Sequence, residues 1–224
     1  MLFNHFKIAL RSLSKNRFFT LLNIAGLSIG LSAGLLILLW VKDEMSFDRF
    51  HPNVDRIYRE HAHFKAGDET QVWERCPAPH AAYALREIPE VEKAVRITDA
   101  GAPLFRQGTT AEVEKLGVFA DTSFFEVFKT DFLAGNPAAA FSGNASVVLT
   151  ESLARKYFGA ATAMENVTGK TVQIDKDYVT VSAVIRDFPE NTLLQYSYIR
   201  PYEYLKSNFQ PNDYWKSLEE DWGD

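Results

Sequence analysis

The chain has 224 residues, a formal net charge of −5 and a single cysteine. This acidic balance is poorly suited to nucleic acid, whose phosphates require basic contacts, so no nucleic-acid partner is expected. One cysteine excludes an internal disulfide framework, and the fold must therefore be stabilised by burial of apolar side chains.

The first seventeen residues combine helical spacing of apolar side chains with positive charge. The apolar positions at helical intervals are Leu2, Phe3, Phe6, Leu10 and Leu13, and the basic side chains lie mostly on other faces. This pattern predicts that residues 1–17 form an amphipathic helix able to lie in the membrane interface. The alternative is the charged region of a targeting signal whose periodicity is accidental.

Residues 18–41, FFTLLNIAGLSIGLSAGLLILLWV, contain no charged side chain. A helix rises about 1.5 Å per residue and would reach about 36 Å here, enough to cross a hydrocarbon core of about 30 Å. The four basic residues before the run are Lys7, Arg11, Lys15 and Arg17. By the positive-inside rule, residues 1–17 are cytoplasmic, residues 18–41 span the membrane, and residues 42–224, with the remaining charge of −9, lie outside the cytoplasm.

A cleaved signal peptide is the alternative for the same residues. The apolar part of a signal peptide is about 7–15 residues long and is followed by small residues at the cleavage site. This run is longer and ends in Leu38, Leu39, Trp40 and Val41, of which Trp40 is typical of a membrane-interface anchor. The sequence therefore favours a retained transmembrane helix in contact with membrane lipid.

Gly26, Gly30 and Gly34 recur every four residues within this helix and so form one stripe. A stripe without side chains lets another helix approach to backbone contact, which is the use of small-xxx-small spacing in lipid. We predict that the stripe packs against another membrane helix. The alternative is that glycine is simply common in membrane helices.

Residues 42–224 mix strand and helix patterns, which predicts an α+β domain. The predicted strands are short and rich in β-branched or aromatic residues: Arg56–Phe64, Gln71–Arg75, Val91–Thr98, Val113–Phe119, Ser146–Leu149, Thr171–Ile174 and Tyr178–Arg186. The predicted helices are Pro79–Glu87, Ser123–Phe128, Thr150–Phe158 and one that begins near Pro201. Gly67-Asp68 predicts a hairpin turn, Thr150 a helix N-cap and Gly159 the end of that helix.

Gly169-Lys170-Thr171 is similar to the end of a phosphate-binding loop. That loop requires a glycine five positions before the second glycine, and this position is Met164. We therefore expect a turn before a strand, no bound nucleotide and no ATPase in the chain itself.

His61 and His63 alternate along a predicted strand, and Cys76 and His80 follow one hairpin later. These residue types bind zinc, but C-x-x-x-H across two prolines is not a standard ligand pair. No serine lies in a G-x-S-x-G turn. The sequence therefore predicts no metal site, no cofactor and no catalytic residues, and hence a protein that is not an enzyme.

Several stretches, in this order, resemble one known family. They are TLLNIAGLSIGLSAGLLILLWVKDEMSFDRFHPNVDRIYRE from Thr20, IPEVEKAVRI from Ile88, DTSFFEVFKTDFLAGNP from Asp121, SVVLTESLARKYFG from Ser146, and the stretch from Val167 to Thr192 that contains GKTVQI and YVTVSAVIRDFPENT. They are similar to permease subunits of ABC transporters of the macrolide-exporter and lipoprotein-releasing type, the FtsX-like superfamily. In that family the first membrane helix precedes a MacB-like periplasmic core domain.

The resemblance implies a permease that works with a separate ATP-binding ABC subunit. In this family, movement of the membrane helices is relayed to a periplasmic domain of two mixed α/β lobes, which moves an exported substrate or drives a periplasmic partner. This mode of action is called mechanotransmission. A second permease copy is a further partner that the resemblance implies.

Permeases of the family carry at least three more membrane helices, and the printed sequence has no second apolar run of spanning length. We therefore expect a fragment whose second lobe is cut short, and a native product with the mass of the 224-residue chain would contradict this expectation. A single-pass, membrane-anchored binding or sensory module without transport is the alternative function. A membrane-tethered zinc hydrolase is the third function that the sequence leaves open.

Overall fold

The computed structural model describes residues 2–211 and 217–220 of the chain. The chain divides into two compact units, Met1–Phe47 and Asp48–Asp224, and we call the second unit the sheet domain. This division places the predicted membrane segment in the first unit and the predicted strands in the second.

Two helices, α1 (Leu2–Lys15) and α2 (Arg17–Ser46), form the described part of the first unit. Both helices are predicted by their sequence patterns, and both are confirmed. α2 has thirty residues with none buried, and it is long and apolar enough to cross a membrane. At about 1.5 Å per residue it reaches about 45 Å, longer than a hydrocarbon core of about 30 Å. A helix that is apolar on all sides and unburied is typical of a membrane span.

The described part of the sheet domain contains a two-stranded sheet and a nine-stranded sheet. The two-stranded sheet is an antiparallel hairpin of β1 (Ala62–Ala66) and β2 (Glu69–Trp73), with the predicted turn at Gly67-Asp68. The nine-stranded sheet consists of β3 (Ile97–Asp99), β4 (Leu104–Gln107), β5 (Thr110–Val113), β6 (Gly117–Ala120), β7 (Phe132–Ala134), β8 (Ser146–Thr150), β9 (Thr171–Ile174), β10 (Asp177–Ile185) and β11 (Tyr198–Pro201). The α-helices are α3 (His80–Glu87), α4 (Phe124–Val127), α5 (Glu151–Phe158) and α6 (Tyr202–Ser207).

The nine-stranded sheet is mixed. Its strand order is β3-β6-β11-β8-β10-β9-β4-β5, and β7 pairs with β10. β8 pairs with β10 and β6 with β11 in parallel, whereas the other pairs are antiparallel. Parallel neighbours need a crossover connection, and α5 lies between β8 and β10 in the chain as part of one. The predicted α+β class, with an N-terminal apolar helix before a sheet-rich domain, is confirmed.

Both faces of the central strands are buried. Along β8, Val147 and Leu149 belong to one apolar cluster and Val148 to another, because successive side chains of a strand point to opposite faces. α5 contributes Leu153 to the first cluster, and α4 contributes Phe124 to the second. Burial on both faces explains why the central strands are nearly continuous apolar runs in the sequence.

The sequence predicts one strand over Val113–Phe119, and this prediction is wrong. β5 ends at Val113 and β6 begins at Gly117, so the chain leaves the strand conformation between them. Glu114, in this break, is 9% exposed, and its carboxylate accepts hydrogen bonds from Tyr157 Oη at 2.6 Å and Lys156 Nζ at 2.7 Å. These partners lie more than forty residues later, so local β propensity does not reveal the break.

The predicted strand Arg56–Phe64 begins too early. Residues 54–56 form a turn of 3₁₀ helix, and β1 begins at Ala62, where pairing with Trp73 begins. The predicted boundaries of α5 are confirmed, because the Thr150 side chain accepts a hydrogen bond from Leu153 N–H and Gly159 ends the helix with φ of 96°. A positive φ of this size favours glycine.

His51, near the start of the sheet domain, is buried as a neutral imidazole. It is 3% exposed, its Nδ1 accepts a hydrogen bond from the Lys129 N–H at 3.1 Å, and burial lowers its pKa. An unfolded chain binds a proton at this ring below about pH 6.5, whereas the folded chain resists protonation, so stability is present above that pH and lost below it. We expect the unfolding temperature of the full chain in detergent to fall between pH 7.5 and pH 5.5.

His51→Gln removes this titration while leaving an amide oxygen as an acceptor, so the fall should be smaller in that variant than in the wild type. The matched control is His63→Gln, which makes the same substitution at an exposed position on β1. Equal pH profiles for His51→Gln and the wild type would contradict the role of His51.

Candidate functional site

Gly26, Gly30 and Gly34 lie on α2 at the four-residue spacing that the sequence shows. At about 100° per residue, steps of four residues displace each glycine by about 40° from the one before, so the three share one face of the helix. A Cβ atom added at any of them would meet no atom within 4 Å. The face is therefore open to close approach by another helix, and the packing role of these glycines stays a prediction.

Gly169-Lys170-Thr171 forms a turn, as the sequence predicts. Gly169 has φ of 85°, its N–H donates to the Val181 carbonyl at 2.8 Å, and β9 begins at Thr171. The Lys170 ammonium lies 5.5 Å from the centre of the Phe158 ring. These contacts give the glycine and the lysine structural roles in the sheet domain.

The structure brings together two of the four zinc-type residues noted in the sequence. Cys76 and His80 lie with Glu60 in a group whose potential ligand atoms are all within 4.8 Å of one another, whereas His61 and His63 are not part of it. The raised pKa of the Cys76 thiol results from burial and from the nearby negative charge of Glu60. Sequence reasoning missed Glu60, although the Gly67-Asp68 turn fixes the hairpin register that places it near Cys76.

Comparison with known proteins identifies the family of the chain. The family model of the MacB-like periplasmic core domain matches residues 20–219. The chain belongs to this family. It is a family of periplasmic domains of ABC-transporter permeases and not an enzyme class. Because α2 is long and apolar enough to cross a membrane and precedes this domain, the chain is a membrane-anchored protein with an extracytoplasmic domain.

Three solved structures are similar to this MacB-like chain. A domain of a protein described as a permease from Porphyromonas gingivalis is 26% identical, with a TM-score of 0.55, over 68% of this chain and 66% of that domain. The periplasmic region of MacB from Actinobacillus actinomycetemcomitans is 18% identical, with a TM-score of 0.46, over 59% of this chain and 58% of that region. The extracellular domain of the noncanonical ABC-type transporter YknZ from Gram-positive bacteria is 18% identical, with a TM-score of 0.43, over 61% of this chain and 70% of that domain.

This chain therefore spans just under two thirds of the Porphyromonas gingivalis domain and a smaller share of the MacB region. The comparison with curated proteins gives no match.

An open groove of about 240 Å³ in the MacB-like domain has mainly apolar walls. Leu153 at the start of α5 lines one side, and Phe188 and Tyr196 in the segment before β11 line the other. Lys156 at the rim is held by Glu112 at 2.8 Å and Glu114 at 2.7 Å, and these hydrogen bonds raise its pKa. Because its charge is already neutralised by two carboxylates, the groove is suited to apolar groups more than to anions.

A second cavity, of about 130 Å³, is lined in part by Tyr198 and Arg200, which carry buried polar atoms without hydrogen-bond partners among the described residues. These atoms are the Tyr198 hydroxyl and the Nε and Nη2 atoms of Arg200, which is 4% exposed. The Arg200 guanidinium lies 3.7 Å from the centre of the Tyr204 ring, and its Nη2 is 3.9 Å from an Asp177 carboxylate oxygen.

Proposed function

We propose that the chain provides the first membrane helix and the periplasmic domain of a permease in an ABC transporter whose ATPase is a separate subunit. The observation that carries this proposal is the family match, which begins at Thr20 inside α2 and continues to residue 219 in the sheet domain. One family therefore accounts for both the apolar helix and the sheet, in this order.

In the proposed arrangement, residues 1–17 are cytoplasmic, residues 18–41 span the inner membrane, and residues 42–224 form the periplasmic core domain. The four basic residues before the span and the acidic composition after it support this orientation. α2 continues without interruption for thirty residues, so it is suited to transmit a displacement from the membrane to the periplasm. This is the step that mechanotransmission requires.

The glycine stripe is the proposed contact with a neighbouring membrane helix, in a second permease copy. The apolar groove beside α5 is the proposed contact with an exported substrate or a periplasmic partner, because its walls are mainly apolar and its lysine is already paired. ATP hydrolysis in the partner subunit would change how the membrane helices pack, and α2 would carry that change outward.

Two measurements test the proposal. First, single cysteines are introduced into a Cys76→Ser background, one at His5 in α1 and one at Thr109 in the exposed turn between β4 and β5. A membrane-impermeant thiol reagent applied to cells with a permeabilised outer membrane should label position 109. It should label position 5 only after the inner membrane is opened, and the reverse pattern would contradict the orientation.

Second, the full chain is purified from its native membrane in mild detergent. We expect a bound ABC ATPase whose ATP hydrolysis is lost when its phosphate-binding-loop lysine is replaced. A correctly oriented chain that is recovered without an ATPase would contradict the transporter proposal and support the anchored binding or sensory module.

A further inference from the structure

Three potential metal ligands from separate segments meet at the base of the β1–β2 hairpin. Glu60 precedes β1, Cys76 follows β2, and His80 is the first residue of α3. One atom from each, a carboxylate oxygen, the thiol sulfur and a ring nitrogen, lies within 4.8 Å of the other two. Glu60 Oε2 and His80 Nδ1 are 2.6 Å apart. Cys76 and His80 are half-buried, whereas Glu60 is more exposed.

The hairpin itself brings these residues together. β1 and β2 pair from Ala66 with Glu69 to Ala62 with Trp73, so the chain enters β1 and leaves β2 at the same end of the hairpin. Glu60 lies two residues before the first paired residue and Cys76 three residues after the last, and both lie at this end. The short segment between Cys76 and α3 then returns His80 to the same place.

We propose that Glu60, Cys76 and His80 bind one zinc ion, with water as the fourth ligand. Thiolate, imidazole and carboxylate are the three ligand types that zinc accepts in proteins. Bonds of about 2.0–2.3 Å at tetrahedral angles separate ligand atoms by about 3.5 Å, so the three side chains need to move by about 1 Å. On binding, the Cys76 thiol releases its proton to solvent, and the thiolate and the Glu60 carboxylate balance the charge of the ion.

The hairpin has a structural need for such a link. All five residues of β2 are exposed, and the hairpin forms a sheet of its own that does not pair with the nine-stranded sheet. An isolated two-stranded hairpin is marginally stable in water, and small modules without a core use metal ions to compensate. Zinc bound to Glu60, Cys76 and His80 would tie both ends of the hairpin to α3.

The sole cysteine of the chain is one of the three proposed ligands. The sequence alone predicts no metal site here, because the spacing of Cys76 and His80 is not that of a standard ligand pair and exposed strand histidines such as His61 and His63 are common. In the structure Glu60, and neither of these two histidines, lies with Cys76 and His80, and the three residues together form a set of three ligands.

Cobalt and zinc binding to the metal-free full chain in detergent tests the inference. We expect one Co²⁺ per chain, with the visible absorption bands of tetrahedral Co²⁺ and a thiolate charge-transfer band that zinc abolishes. Cys76→Ser and His80→Gln should each weaken zinc binding at least tenfold. Zinc should also slow tryptic cleavage after Lys65 in the hairpin of the wild type but not of Cys76→Ser.

The control is His63→Gln, which lies on β1 outside the ligand group and should bind zinc like the wild type. The cobalt spectrum of the wild type is informative even if a variant fails to fold. A spectrum without the thiolate band would overturn the inference, as would wild-type affinity in both Cys76→Ser and His80→Gln. The inference does not rest on the transporter proposal, and loss of ATPase binding would leave it intact.

Discussion

Gly117→Ala is expected to destabilise the sheet domain by about 3 kcal/mol, at the upper end of the range for overpacking a tightly packed site. Gly117 on β6 is paired in parallel with Tyr198 on β11, and a Cβ atom at position 117 would lie 1.8 Å from Cζ of the Tyr198 ring. Tyr198 has no exposed surface, and its ring centre is 4.7 Å from that of Phe105. The ring therefore cannot move away from position 117 without disturbing its packing against Phe105.

Thermal unfolding of the full chain in detergent measures this effect. For a domain of this size about 3 kcal/mol corresponds to a fall of roughly 6–12 °C in the unfolding temperature. The matched control is Gly143→Ala, because a Cβ atom at Gly143 would meet nothing within 4 Å. If the two variants unfolded at the same temperature, the close packing of Tyr198 on Gly117 would be wrong.

The same pair shows which part of the fold the sequence predicts and which it does not. Ser146–Leu149 is predicted correctly as a strand, because a strand buried on both faces is an apolar run that can be recognised locally. Thr171–Ile174 is also predicted correctly, because its buried apolar residues alternate with more exposed polar ones. β11 is not predicted, since its four residues end in Pro201 and its partners β6 and β8 lie far away in the chain. The closeness of Gly117 and Tyr198 follows from that pairing, so no local pattern reveals it.

The metal-type residues show a similar limit. The sequence identifies Cys76 and His80 by residue type, but Glu60 is one acidic residue among many and has no pattern of its own. Its position near Cys76 depends on how the chain continues beyond the last paired residues, Ala62 and Trp73, and no local pattern shows that path. The sequence thus identifies two of the ligands by their residue type, whereas the complete set of three can be identified only from the folded structure.

The membrane segment is the opposite case. Whether a helix spans depends on its own length and composition, because a spanning segment must satisfy its backbone hydrogen bonds internally. The sequence therefore predicts α2 without knowledge of the rest of the fold. What lies against Gly26, Gly30 and Gly34 depends on other helices, so the stripe leads to a prediction about assembly.

Gly30→Leu is expected to weaken the association of this membrane helix with its partner at least tenfold, or about 1.4 kcal/mol. Leucine at the centre of the stripe holds two helices apart and removes the backbone contact that glycine permits. The substitution also raises helix propensity, so α2 itself should be retained. Energy transfer between labelled full-length chains in lipid bilayers measures association of two copies.

Ser32→Leu is the matched control for Gly30→Leu. Ser32 lies two residues from Gly30, which is about 200° around the axis of α2. A leucine at position 32 therefore adds the same side chain at nearly the same depth in the bilayer but on the opposite face of the helix. We expect Ser32→Leu to associate like the wild type. Equal weakening in both variants would mean that bulk anywhere on α2 disrupts assembly, and unchanged association in Gly30→Leu would remove the stripe from the interface. If Gly30→Leu also lowers ATP hydrolysis by the purified complex while Ser32→Leu does not, packing at the stripe and coupling to the ATPase are linked.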